Sequence, residues 1–272
     1  MELVIKLNLT KKYLEPMVDQ WPEYAIILGS GHKEAVNHFH IHKKIPLKDI
    51  PQTPSNTLPH MDSTLYLATV NNRPCWIVGG RVHYYEGYSM EEIIYTVRFL
   101  SFCGVENFLL TNASGSVNPE LVESSLVIIK DHINWSLPSP LIGENEKFLG
   151  PRFPEMIHAY DQQYIKAIKD FCKSINIQIN DGIYLGVSGP QLETTAEYRL
   201  FRQLGADIIG MSTIPEVIAI KHMGKKCTAI STVSNSASNF ENIQSISMDH
   251  LMANISARTG DLKKIADYWV NI

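Results

Sequence analysis

Cysteine is scarce in this chain: four in 272 residues, with none spaced as CxxC. Cys75, Cys103, Cys172 and Cys227 are widely scattered, which argues against a zinc knuckle or a disulfide framework and for free thiols in a reducing cytoplasm. Long apolar runs are missing too. The densest, such as Tyr24–Leu28 and Phe108–Leu110, are far too short to cross a bilayer. The opening MELVIKLNLT has no basic stretch, long apolar run or small-residue cleavage site, so it does not read as a signal peptide. No charge sign is in excess: charged residues make up 19% and the net charge is −4 at pH 7. That excludes a disordered charged tail and disfavours a polyphosphate surface, so neither nucleic acid nor membrane is an expected partner. A small anion stays compatible, because a local pocket can be positive on a negative protein. No repeat, low-complexity segment or compositional break marks a linker, and residues 1–272 are expected to form a single domain.

Apolar residues make up 44%, enough for a sizeable core. Short strand-like runs alternate with helical ones, which predicts an α/β fold. Tyr24–Leu28 reads as a strand ending at Gly29-Ser30-Gly31, and Asn71-Asn72 as the turn of a hairpin between Leu65–Val70 and Cys75–Val78. Ser89 with Glu92 forms a capping box that opens a helix to about Cys103, stopped by Gly104. Further strands are expected at Glu106–Thr111, Leu121–Lys130, Gly182–Val187, Asp207–Met211 and Lys226–Val233. Helices are expected at Ala159–Ser174, Thr195–Leu204 and Ile214–His222, with one long helix from Met248 to the end. Residues 134–157, rich in Pro, Gly, Asn and Ser, read as a functional or interfacial excursion.

Several strands run into small-residue turns, where open α/β sheets bind ligands and backbone N–H groups approach anions. The run Gly80-Arg81-Val82-His83-Tyr84-Tyr85-Glu86-Gly87-Tyr88 is more specific. As a continued strand it puts Arg81, His83 and Tyr85 on one face, an arginine fork beside an imidazole, with Glu86 available to Arg81 or a ligand hydroxyl. His38, His40 and His42 alternate, but no acidic or cysteine partner is nearby, so a solvated strand face is expected there and no metal. Lys43-Lys44 and Lys225-Lys226 read as solvent-exposed pairs.

The string GRVHYYEGY resembles the signature of the trimeric class of purine nucleoside phosphorylases, the family that also includes methylthioadenosine phosphorylase. The expected order recurs in Gly29–Gly31, Thr111-Asn112-Ala113-Ser114-Gly115, Asp131–Asn134, Pro151–Pro154, Gly189–Thr194, Gly210–Glu216 and Val233–Asn235. The resemblance implies a twisted, mixed central β-sheet flanked by α-helices. It implies a phosphate site at Ser30, Arg81, His83, the Ala113 backbone N–H and Ser212. The ribose site would comprise Tyr85 and Met211. Glu193 and Asn235 would meet the purine, walled by Ala113, Tyr184 and Leu192. His83, Glu193 and Asn235 would be the catalytic side chains. Phe153 would reach a neighbouring subunit's site in a homotrimer. Purine nucleoside and phosphate are the implied partners, phosphate being a co-substrate, with no cofactor.

The residue types suit that chemistry. Phosphate is the nucleophile, so no protein nucleophile is needed, and Arg81 with hydroxyls, imidazole and an N–H can hold a dianion. An amide at position 235 can donate to N7 and O6 of a 6-oxopurine, and Glu193 can accept from N1–H and a 2-amino group. Inosine and guanosine are therefore expected over adenosine. Departures from the family pattern are Leu192 in place of an aromatic, Pro59-His60-Met61 in place of a glycine-histidine pair, and Met248 where a histidine would meet the 5′-hydroxyl. The rivals are methylthioadenosine phosphorylase, a nucleoside hydrolase using water, and a catalytically silent purine-binding protein.

Overall fold

The structure, a computed structural model, describes residues 2–57, 62–236 and 247–272. The first helix, α1 (Glu2–Leu14), buries Leu3, Leu7, Thr10 and Leu14, a single stripe at helical spacing. Strands β1 (Tyr24–Ile27), β2 (His40–Pro46), β3 (Thr64–Val70) and β4 (Arg73–Val78) follow. Asn71 and Asn72, with φ of 40° and 66°, make the β3–β4 hairpin turn, a left-handed pair that Asn tolerates well. The Ser89–Glu92 capping box is present. The helix it opens is interrupted at Ile94, giving α2 (Met90–Ile93) and α3 (Tyr95–Phe102) rather than one rod.

The remaining strands are β5 (Asn107–Ser116), β6 (Leu126–Asn134), β7 (Ile179–Gly186), β8 (Ile208–Gly210) and β9 (Lys226–Ser236). Helices α4 (Gln162–Ser174), α5 (Thr195–Gln203) and α6 (Ile214–His222) lie between them, and α7 (Met248–Ser256) and α8 (Thr259–Trp269) follow. Among the described residues the nine strands form one mixed sheet in the order β2-β3-β4-β1-β5-β8-β7-β6-β9, with β9 also pairing β5. Strand β5 is thus a fork. Its first half runs between β1 and β9, and its tip meets β8. Beyond the fork, β5, β8, β7, β6 and β9 close into a ring. The middle strands are buried on both faces, which explains their continuous apolar runs.

Four expectations are corrected. The strand expected to end at Thr111 runs on through Asn112–Gly115, because β9 pairs with β5 as far as Ser116. Residues 121–125 are turn and loop, and β6 begins only at Leu126. The run from Gly80 does not continue β4: the strand ends at Val78 and Tyr84–Glu86 form a 3₁₀ turn. The C-terminal helix is broken between Ser256 and Thr259.

Candidate active site

Small residues bring the strand ends together. At Gly29, two residues after β1, a Cβ would collide with the Thr111 and Asn112 backbone, so only glycine lets the loop cross β5 this closely. On the other flank of β5 the register with β9 slips: Ser114 faces Val233, but Gly115 faces Asn235. Ser234 is the extra residue of a bulge. A bulge re-aims neighbouring side chains, and here Ser234 and Asn235 both reach one cavity of about 170 Å³.

Ser30, Arg81, His83, Tyr85, Ala113, Leu192, Glu193, Met211, Ser212 and Asn235 all line that cavity. Three candidates do not. Tyr184 is fully buried behind it, and its hydroxyl accepts the Ser212 N–H at 3.2 Å, so it supports Ser212 rather than walling a ligand. Met248 is 57% exposed and outside the lining, where α7 instead presents Leu251. Phe153 is 88% exposed, on the excursion that also exposes Ile142 and Ile157. His60 lies outside the described residues.

Arg81 is the fixed charge of the cavity. Its Nη1 donates to the Thr111 carbonyl at 2.9 Å and its Nη2 to the Ile27 carbonyl at 3.3 Å. Its Nη1 also lies 3.5 Å from Ser212 Oγ. Glu216, not Glu86, is its counter-charge: Nε and Oε2 are 3.2 Å apart, both side chains buried, without hydrogen-bond alignment. The pair is therefore coulombic. Burial pushes the Glu216 carboxyl up, and Arg81 works against that.

Glu86 holds His83 instead. Its Oε1 accepts from the His83 backbone N–H at 2.8 Å and lies 2.9 Å from Nδ1. Its Oε2 accepts from the N–H and hydroxyl of Thr57, each at 2.8 Å. Burial would raise this carboxyl, but the hydrogen bonds from His83 and Thr57 outweigh it and hold it down at about 2. The His83 ring stacks on Tyr85, centroids 4.8 Å apart. So the arginine and imidazole converge, as the strand reading expected, but through a 3₁₀ turn and two separate carboxylates.

Sequence reasoning missed three supports. His32, fully buried, bridges Thr111 Oγ1 (3.3 Å) and Thr232 Oγ1 (3.1 Å), and burial, then Arg81, pushes it down to about 3, so it is a neutral tie between β5 and β9. Thr213 has φ 65° and ψ −54°, and Ile214 N–H reaches back to the Ser212 carbonyl at 2.7 Å. That is a strained γ-turn, held by Asn112 Nδ2 donating to Thr213 Oγ1 at 2.9 Å. Tyr198 is the third. Its signal is positional, one helical turn beyond a carboxylate that precedes a helix.

Glu193 is free of capping duty. Thr194 caps α5 and Glu197 completes the capping box, leaving the half-buried Glu193 carboxyl to face the cavity. Burial raises it, and the Tyr198 hydroxyl works against that. Among the described residues no cluster of three or more His, Cys, Asp or Glu is arranged to hold a metal ion. His42 Nε2 is instead 2.7 Å from Thr69 Oγ1 on the neighbouring strand. No helix among the described residues is long and apolar enough to cross a membrane.

Fold and site together define a protein of the phosphorylase superfamily, whose family model matches residues 23–259. The chain is 39% identical to purine nucleoside phosphorylase 1 of Bacillus subtilis, over 88% of each chain. It superposes on isoform 2 of purine nucleoside phosphorylase from Schistosoma mansoni, solved with cytosine and ribose-1-phosphate, with a TM-score of 0.93 and 32% identity, covering 98% of this chain and 95% of that one. Purine nucleoside phosphorylase from the same organism has also been solved with adenosine (TM-score 0.91, 28% identity) and with inosine (0.90, 29%), in both cases over 98% of this chain and 96% of the other. Within the superfamily the chain belongs to the purine nucleoside phosphorylase family, and it is thus a pentosyltransferase.

Proposed function

We propose that the enzyme catalyses reversible phosphorolysis of 6-oxopurine nucleosides, inosine and guanosine and their 2′-deoxy forms, to free base and (deoxy)ribose 1-phosphate, in purine salvage. The observation carrying this reading is that Arg81 and Glu193 line the same cavity, the first with its own buried counter-ion and the second excused from capping. Relatives bind both adenosine and inosine, so likeness alone does not choose the base. Asn235 supports the 6-oxopurine, because its amide N–H suits the N7 and O6 acceptors.

In this reading HPO₄²⁻ lies against Arg81, Ser30, His83, Ser212 and the Ala113 N–H. Glu216 lies against the buried guanidinium of Arg81, which leaves the anion to be held by aimed donors. A phosphate oxygen attacks C1′ as the C1′–N9 bond breaks, and the bond electrons pass to the purine. Asn235 stabilises the growing charge at N7, Glu193 holds the base edge, and Tyr85 and Met211 flank the sugar. The proton lost as HPO₄²⁻ becomes the sugar phosphate neutralises the departing base. Water gains no advantage from such an anion cradle, which disfavours a hydrolase. The working form is proposed to be a cytoplasmic homotrimer of single-domain chains, with Phe153 of each chain covering a neighbour's sugar. Nucleic acid, membrane and cofactors have no part in it.

The test is product formation from inosine, guanosine, adenosine, xanthosine and methylthioadenosine, with and without phosphate. Phosphate-dependent cleavage of inosine and guanosine is expected. Cleavage without phosphate, or equal use of adenosine and inosine, would sink the reading, and an active monomer would sink the shared site.

A further inference from the structure

Three of the groups proposed to seat phosphate come from distant parts of the chain: Ser30 after β1, Arg81 after β4 and the Ala113 N–H within β5. Thr111 connects them. Its carbonyl accepts from Arg81 Nη1 at 2.9 Å, and Ala113 follows two residues on along the same strand. Its hydroxyl holds the turn that carries Ser30. That turn, Gly29–His32, is closed by the His32 N–H donating to the Gly29 carbonyl at 3.1 Å, with Gly31 at φ 78° in its third position. Thr111 Oγ1 accepts from the Gly29 N–H at 3.1 Å and lies 3.3 Å from His32 Nδ1. Both ends of the turn therefore rest on one hydroxyl, with Ser30 between them.

His32 carries the tie further. Its Nε2 lies 3.1 Å from Thr232 Oγ1, and Thr232 is the β9 residue paired with Ala113. The imidazole thus bolts the Ser30 turn across β5 onto β9, at the level of Ala113. The ring is fully buried, and burial, then Arg81, keeps it neutral. A neutral imidazole has one donor and one acceptor nitrogen, and a hydroxyl can take either part, so both contacts are satisfied in either tautomer. A cradle whose donors are in place before the anion arrives loses no binding energy to ordering them.

We propose that Thr111 and His32, neither of which lines the cavity, are positioning residues for the phosphate co-substrate: one hydroxyl and one imidazole fix the Ser30 turn against Arg81 and Ala113, and so set phosphate affinity without touching the nucleoside. This rests on Ser30, Arg81 and Ala113 being phosphate contacts of the proposed function. Thr111 and His32 act only through those groups. Loosening the turn therefore weakens the grip on phosphate and leaves Glu193 and Asn235, at the other end of the cavity's proposed ligand, as they were.

The experiment is Thr111→Val, which keeps the shape and removes the hydroxyl, assayed with phosphate and inosine varied separately, beside thermal melts with and without phosphate. The KM for phosphate is expected to rise about tenfold while the KM for inosine stays within about twofold, and the Tm increase given by phosphate to shrink. Thr111→Ser, which restores the hydroxyl, is expected to return the phosphate KM to near the wild-type value. His32→Leu, which removes the bolt to β9, is expected to move the same KM in the same direction, and guards against a poorly folded valine variant. Equal changes in the two KM values, or a lower Tm with neither KM moved, would leave both residues as packing and overturn the proposal. Ser30→Ala separates the two levels. If it leaves the phosphate KM unchanged, the assignment of that turn to phosphate fails and the proposal with it. If it raises that KM while neither Thr111→Val nor His32→Leu does, only the clamp fails.

Discussion

Arg81 and Glu193 face one cavity but are held by opposite means. Arg81 is tied to two backbone carbonyls and faced by a buried carboxyl group, so it is positioned before any ligand arrives. Glu193 has a carboxyl that burial raises, opposed by a backbone N–H and the Tyr198 phenol and by no cation among its named neighbours, so its state depends on what it meets. The contrast suits the two jobs proposed for them. A dianion needs a charge that never varies, whereas a neutral base edge needs hydrogen bonds whose direction carries the information.

Breaking the Arg81 side is expected to have the largest effect. Glu216→Ala leaves a buried guanidinium uncompensated and should cost about 3–5 kcal/mol of folding stability, read from denaturant unfolding. A loss under about 1 kcal/mol would mean that the carbonyls alone suffice. Arg81→Ala should lower kcat/KM about 10²-fold or more, because the anion contact persists into the transition state. Near-normal phosphorolysis would show that the cradle lies elsewhere.

On the other side the effects are smaller and concern choice rather than rate. Asn235→Asp should shift preference toward 6-aminopurines by about 1–3 kcal/mol per mismatched contact, measured as the adenosine-to-inosine ratio of kcat/KM. No shift would detach Asn235 from the base. The smallest effect is expected at the sugar's 5′ end. Helix α7 offers Leu251 to the cavity, while His250 is 3.0 Å from Glu123 instead. The 5′-hydroxyl then forgoes one neutral bond of about 0.5–1.5 kcal/mol, and 5′-deoxyinosine should be used within about tenfold of inosine. Discrimination nearer a thousandfold would mean that a polar group reads that hydroxyl.

Much of this was legible before any coordinates, for a physical reason. Turn and cap chemistry is local, so Asn71-Asn72, the Ser89–Glu92 box and the start of α5 after Thr194 could be read directly. The ordered motifs carried the cavity lining. What escaped depends on pairing across long separations. Strand β5 runs through Asn112–Gly115 because β9, more than a hundred residues on, supplies its ladder. Glu216 rather than Glu86 faces Arg81 for the same reason, α6 lying more than a hundred residues further along the chain. On α7, a helix at 100° per residue turns a small register error into a different side chain, and Leu251 takes the place expected of Met248.

The fork at β5 has a consequence for how the protein is made. Strand β9 closes the ring by pairing β5 on one side and β6 on the other, yet among the described residues it comes last of the nine strands in sequence. Until residues 226–236 leave the ribosome, β5 and β6 each carry an open, apolar edge, the kind of surface that invites chains to pair with one another. A chain released before Lys226 should therefore aggregate rather than remain as a smaller soluble sheet, which light scattering of such a fragment would report. The same strand delivers Asn235, so the proposed base contact and the protection of those edges arrive in one step.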